Sequence, residues 1–188
     1  MTETYAPPTS ASAESRAHRP FPQRLLAAMQ LESALYEEVE HDPDALPQAT
    51  AVVALAAGDS AIASLAVVGA AALLSGVVAA FVSWLVWTAI VWLVGVKVFE
   101  HDSDFEELLR TFGFVAAPQL LYVLAVIPLA LWQALVGFTV IAMTLVGFVR
   151  ATRQALDVDT GRALLVAGLG VLVYLVLGAA VGAVASFG

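Results

Sequence analysis

Residues 71–99 read AALLSGVVAAFVSWLVWTAIVWLVGVKVF. From Ala71 to Val96 no side chain is charged, and the first charge met is Lys97. About 20 such residues cross the roughly 30 Å hydrocarbon core of a bilayer as one helix. This stretch is longer, enough to cross at a tilt. A stretch of this kind implies an integral membrane protein. Trp84, Trp87 and Trp92 give it most of the aromatic weight. Trp near a helix end anchors at the headgroups. Trp84 and Trp87 lie too central for that, so they pack inside a bundle or line a contact with a lipid, pigment or partner.

Outward from this helix lie four more apolar stretches. They run from Gln48 to Val68, Thr111 to Ile127, Leu131 to Val149 and Gly161 to Phe187. Pro118 frees a carbonyl and kinks the third; Pro128 ends it and starts a hairpin. Folded this way, all eight Lys and Arg residues fall on one side. Arg16, Arg19 and Arg24 precede the first span. Lys97 and Arg110 flank the second connection, and Arg150, Arg153 and Arg162 flank the fourth. The connections near Gly69 and Pro128 carry no basic residue. Basic loops stay in the cytoplasm during insertion. The expected fold is therefore an all-α integral membrane protein with about five transmembrane helices, N-terminus cytoplasmic and C-terminus extracytoplasmic.

Composition agrees. Of 188 residues, 61% are hydrophobic and 13% charged, against about 45–50% and about 25% in soluble domains. The absence of cysteine removes disulfides, thiolate metal sites and cysteine nucleophiles. A net charge of −8 argues against nucleic acid, whose phosphates need clustered Lys and Arg. It also argues against tail docking on anionic lipid. No cleavable signal peptide is expected, because Met1 to Ser15 is polar and acidic.

Three segments follow. Residues 1–20 are rich in Pro, Ser, Thr, Ala and Glu, and are read as a disordered cytoplasmic arm. Residues 21–42 form an amphipathic interfacial helix, with Leu25, Ala28, Met29, Leu35, Tyr36 and Val39 on one face. It lies on the membrane surface or against the bundle; packing on a partner protein is the alternative. It stops at His41-Asp42-Pro43, because Pro disfavours helix in the residue before it. Residues 45–188 make the five-helix domain. Ser103 and Glu106 match a capping box for a short helix, and Asp159 or Thr160 caps the last span.

Several stretches in series resemble the Yip-domain family of membrane proteins, whose eukaryotic members interact with Ypt/Rab GTPases. They are Leu35-Tyr36-Glu37-Glu38-Val39-Glu40-His41-Asp42-Pro43, Asp104-Phe105, Leu108-Leu109-Arg110-Thr111-Phe112-Gly113-Phe114, Ala117-Pro118, Ile127-Pro128, Leu156-Asp157 and Thr160-Gly161-Arg162-Ala163. They cover about residues 30 to 185 in the family's order, and look most like the bacterial branch. The resemblance implies a cytoplasmic N-terminus and five spanning helices. Eukaryotic members act in membrane traffic, binding small GTPases and each other. Their acidic Asp-Leu-Tyr-Gly-Pro motif is missing here, which argues against a GTPase partner.

Candidate chemistry is sparse. Asp59 is a charge at membrane depth, beside Ser60, in Gly58-Asp59-Ser60. Such a charge costs about 2.5–3.5 kcal/mol at the bilayer centre and normally meets a polar partner or water. It marks an intramembrane polar site, for a permease or a subunit contact, or a hydrated local break. Gly178, Gly182 and Ser186 form a small-residue ridge that admits another helix, of this chain or of a partner. Arg110 and Arg162, with Glu106 and Asp157, form a candidate cytoplasmic surface; the plainer reading is topology anchoring with weak salt bridges. His41-Asp42 and His101-Asp102 offer too few ligands at the wrong spacing for a metal. No nucleophile–base pair or phosphate loop is visible. The expectation is a non-enzymatic scaffold or accessory subunit without cofactor, in the inner membrane. Its partners are lipid and other integral membrane proteins or itself. A small permease or channel using Asp59 is the first alternative, and a GTPase-binding trafficking factor the second.

Overall fold

The computed structural model describes residues 19–68, 71–98 and 103–185, and its regular elements are all helical. Two short helices, α1 (Phe21–Met29) and α2 (Ser33–Glu40), precede the long α3 (Ala45–Val68). Next, α4 (Ala71–Trp92) runs on into a π-helical stretch (Leu93–Val98). After α5 (Phe105–Phe114) comes a 3-10 helix (Ala117–Val126), then α6 (Ala130–Ala155) and α7 (Thr160–Ala185). Among the described residues, three helices are long and apolar enough to cross a membrane: Gly76–Val96, Phe105–Val126 and Ala130–Ala155. Thr160–Val173 is a shorter apolar helix.

The segment 21–42, expected as one helix, is two. Leu31 takes a left-handed conformation, φ 58°. Its N–H donates to Ala28 O and that of Glu32 to Ala27 O, which closes α1 as a Schellman motif. A left-handed leucine is costly, and the Arg150 guanidinium, which donates to the Leu31 carbonyl, helps hold it. The apolar face of α2 is not left for lipid. Leu35, Tyr36 and Val39 are fully buried, and α2 packs against α5 and α6.

Helix α5 starts one residue later than expected. Asp104, not Ser103, is the N-cap, and its backbone N–H donates to Glu107 at 2.9 Å. Both pairs fit the same three-residue spacing, so sequence does not separate them. Pro118 then prevents the α-helix from continuing, since it lacks an N–H and crowds the preceding turn. The chain changes to a 3-10 helix, which rises about 2.0 Å per residue instead of about 1.5 Å. Phe105–Val126 thereby gains reach. The last carbonyls of the 3-10 stretch are capped across the hairpin. Trp132 Nε1 donates to Leu124 O at 2.7 Å, and Gln133 Nε2 to Ala125 O at 2.9 Å. Pro128 has no N–H to offer Ala125, which is why a side chain is needed there.

Helix α3 packs against α4, α5 and the 3-10 stretch. Gly113 makes one of these contacts possible, because a Cβ there would sit 2.6 Å from Ala49 Cβ and 3.0 Å from its Cα. Close backbone approach at small residues is how helices gain packing in lipid. Hydroxyls are handled locally: Thr50, Thr88 and Thr111 each donate to the carbonyl four residues earlier.

Candidate functional site

Two places concentrate polar or concave features. The first is a cap at one end of the bundle, built by α1 and α2. Arg24 is its centre and is 1% exposed. Its Nε donates to Glu38 Oε1 at 2.8 Å, Nη1 to Gln48 Oε1 at 3.1 Å and Nη2 to Asp42 Oδ2 at 2.5 Å. The guanidinium fork thus fixes α1 to α2, to the turn before α3 and to α3 itself. Arg19 adds bonds to Glu38 at 2.6 Å and Glu32 at 2.8 Å. Burial pushes the Glu38 carboxyl up, but the hydrogen bonds from Arg19 and Arg24 outweigh it and hold it below its usual range. In sequence Arg24 stands out only as one of the topological charges. Its place beside Ala27 and Ala28 on the buried face of α1 was a visible signal, had the apolar face been drawn one residue over.

Of the surface quartet, the structure turns one member inward. Arg110 is 7% exposed and Nη2 donates to the Glu40 carbonyl at 2.8 Å, with Glu106 at 3.9 Å. Glu106 is exposed. Arg162 is exposed and pairs with Asp159 at 3.5 Å. Asp159 Oδ1 accepts from the N–H groups of Gly161 and Arg162, so it caps α7 as expected. Asp157 has φ 48° and closes α6 by the same motif that Leu31 uses, with Asp157 N–H on Gln154 O and Val158 N–H on Arg153 O. Burial pushes Glu40 up to about 7; His41 opposes this, and Asp157, Glu107 and Glu37 add to it. Of the four, Arg110 and Asp157 are thus engaged in local structure, while Glu106 and Arg162 remain on the surface. His18 and the His101-Asp102 pair lie outside the described residues.

The second place is a cavity of about 780 Å³ among α3, α4, α5 with its 3-10 extension, α6 and α7. One wall is aromatic: Trp84, Trp87, Phe112 and Phe148. Trp87 and Phe112 each pack on Phe148, at 4.8 and 4.9 Å between centroids. The central tryptophans expected inside the bundle do line it. Trp84 Nε1 and Thr144 Oγ1 are buried in the wall with no hydrogen-bond partner among the described residues. Gln119 lines the cavity from the 3-10 stretch. Leu145, Leu164, Gly168 and Val171 line the cavity and are also exposed on the bundle exterior, so it opens beside them.

Asp59 lies one turn beyond Ala56, a lining residue. Its carboxylate meets the backbone N–H of Val123, and Oδ2 is buried without a partner among the described residues. The Ser60 side chain is outside what the structure describes. Gly178 and Gly182 fall within α7, but the surroundings of that face, and Ser186 itself, lie outside the described residues.

Apolar spanning-length helices joined by short connections define a multi-pass membrane protein. Residues 32–181 match the model of the Yip1 domain, and the chain belongs to that family. No curated protein and no solved structure matches it. The match covers the cap from α2 onward and the whole cavity.

Proposed function

We propose that this protein is a non-enzymatic scaffold or accessory subunit of a larger membrane assembly. In this reading it is a five-span protein of the bacterial branch of its family, in the cytoplasmic membrane, with the cap on the cytoplasmic side. The one-sided basic residues favour that orientation. The observation that carries the role is a division of labour. Buried ionic groups such as Arg24 and Asp42 are engaged in fixing the cap. Outside the cap the chain presents large apolar side chains such as Leu131 and Phe138, 75% and 72% exposed. Such faces suit lipid and neighbouring membrane helices, including a second copy. A small GTPase is not part of this reading, since the acidic arm motif is missing.

The test is extraction from native membranes in mild detergent, followed by native electrophoresis and identification of the subunits. A stoichiometric complex is expected, and Gly182→Leu should release the partner while leaving the protein folded if the α7 ridge is the contact. A monomer carrying lipid alone overturns the scaffold reading.

A second reading, a small permease, draws on Asp59, whose Oδ2 has no partner among the described residues. Asp59→Asn in proteoliposomes discriminates. Under the scaffold reading it leaves ion flux unchanged and folding intact or improved; an ion flux that wild type has and Asp59→Asn lacks promotes the permease.

A further inference from the structure

We propose that the 780 Å³ cavity is a binding site for a neutral, ring-bearing carbonyl lipid of the bilayer interior, of the isoprenoid-quinone class. The inference rests on the membrane reading above but not on the scaffold role. Volume is the first argument. Sites for small molecules and cofactors hold about 300–1,000 Å³, mostly apolar with a few placed polar groups. This cavity fits that description, and its mouth at Leu145 and Leu164 opens to the apolar exterior. A ligand that enters from the bilayer, with a tail that remains there, suits such a mouth.

The aromatic wall selects a planar head. Trp87, Phe148 and Phe112 form a packed series, and aromatic faces take further rings in offset or edge contacts. The polar groups select a hydrogen-bonding head. The Gln119 side chain is half-buried on the cavity wall and makes no hydrogen bond among the described residues. Its amide supplies two donors. Trp84 Nε1 and Thr144 Oγ1 stand unpaired deeper in the same wall. Unpaired buried polar groups in a native protein call for an explanation, and an incoming carbonyl is one.

Depth separates the polar end of the cavity from the carbonyls of the commoner occupant: Phe112, Phe148 and Leu164 lie two residues from Arg110, Arg150 and Arg162, whereas Gln119 and Trp84 lie far from any basic residue. Gln119 lies about 16 Å along the chain axis from Arg110, taking α and then 3-10 rises. Trp84 lies about 20 Å from Lys97. With a core about 30 Å thick, both are near the middle of the membrane. The ester carbonyls of glycerolipids stay at its surface, so an acyl chain can enter the cavity but brings no acceptor to Gln119. A quinone ring is neutral and submerges with its carbonyls.

The experiment uses the full chain in lipid nanodiscs, titrated with decylubiquinone and read by quenching of tryptophan fluorescence. Monoolein serves as the acyl-ester comparison. Wild type should show a saturable phase above the linear quenching due to partitioning. Gln119→Leu should weaken that phase about tenfold, the worth of one buried hydrogen bond. Gly168→Leu should weaken it at least as much by placing a side chain in the ligand's path. Gly168 lines the cavity and a Cβ there meets nothing within 4 Å, so the variant should keep its thermal stability. Excess monoolein should leave the phase in place. Purely linear quenching in wild type overturns the proposal. So does a saturable phase that both variants retain, which puts binding elsewhere. Displacement by monoolein also overturns it and makes the occupant an ordinary acyl chain.

Discussion

The cap and the cavity treat polar groups in opposite ways. In the cap the central buried charge is fully engaged: Arg24 meets Glu38, Asp42 and Gln48, whereas Arg110 meets the Glu40 carbonyl through Nη2 and leaves its Nε without a partner among the described residues. In the cavity wall the polar groups are few and neutral, and Trp84 Nε1 and Thr144 Oγ1 have no partner among the described residues; Asp59, one turn beyond the lining, likewise has a buried Oδ2 without one. An unpaired charge is far more costly than an unpaired hydroxyl or ring N–H. The cap must therefore be complete for the fold to stand. The cavity can stay incomplete, and what it lacks is what a ligand can bring.

The sharpest way to break this comparison is Arg24→Leu. It leaves Asp42 and part of Glu38 buried without their cation. Removing one partner of a buried pair costs about 3–5 kcal/mol. Thermal unfolding in detergent should shift by that order, and the segment before α3 should become sensitive to chymotrypsin. Adding Asp42→Leu should restore part of the loss. A single variant as stable as wild type would mean that the fork is ornamental.

Glu40 sharpens the comparison through pH. The residue is largely buried, and burial raises its carboxyl from 4.5 to about 7. A raised acid stabilises the fold while protonated, so the contribution is fully present below about pH 4.5 and lost as pH rises through about 7. Linkage allows a loss of up to about 3 kcal/mol across that window. Glu40→Gln should flatten the dependence and leave the protein more stable than wild type at pH 8. Equal pH dependence in both proteins would show that Glu40 is already solvated.

Gly113→Ala asks whether the tight packing beside the cap extends into the bundle. The new methyl would lie 2.6 Å from Ala49 Cβ, with backbone close behind. Overpacking of this kind costs about 1–3 kcal/mol. By contrast Gly168→Leu, at the cavity, should cost nothing measurable in the same melt. If the two glycines behave alike, the bundle is equally loose throughout.

Much of the frame could be read from the chain. Apolar runs and one-sided basic residues need no tertiary knowledge, and Pro118, Pro128 and Asp159 act on their own neighbours. The α2 face was legible too, because Leu35, Tyr36 and Val39 repeat at helical spacing. What escaped depends on distance or on rule-breaking. Arg24 finds partners 14 to 24 residues away, which no local pattern encodes. The break at Leu31 carries neither Gly nor Pro, so nothing flags it. The cavity is a property of where five helices stop short of each other. Of its lining, the central Trp84 and Trp87 were visible in sequence, whereas Gln119 looked like one more polar residue in a Pro-kinked span. Gly178 and Gly182 stand out as small residues in sequence, while among described residues tight backbone approach occurs at Gly113 against Ala49 and side-chain crowding at Gly95 against Leu156.

The smallest expected effect tests the limit of the comparison inside the cap itself. Tyr36 is fully buried and its hydroxyl has no partner among the described residues. Burial holds the phenol's pKa well above its usual value, with the Arg150 charge opposing. Gly147 makes room for it, since a Cβ there would lie 3.1 Å from the hydroxyl. The cap thus engages Arg24 fully but leaves this neutral group alone, as the cavity does. Removing an unpaired buried hydroxyl lifts a desolvation penalty of about 1–3 kcal/mol and leaves a small void that offsets part of it. Tyr36→Phe should therefore be neutral or stabilising by up to about 1 kcal/mol, read as an unchanged or slightly raised melting temperature. A clear destabilisation would show that the hydroxyl has an acceptor after all. The unpaired neutral groups of the cavity would then stand further apart from the cap.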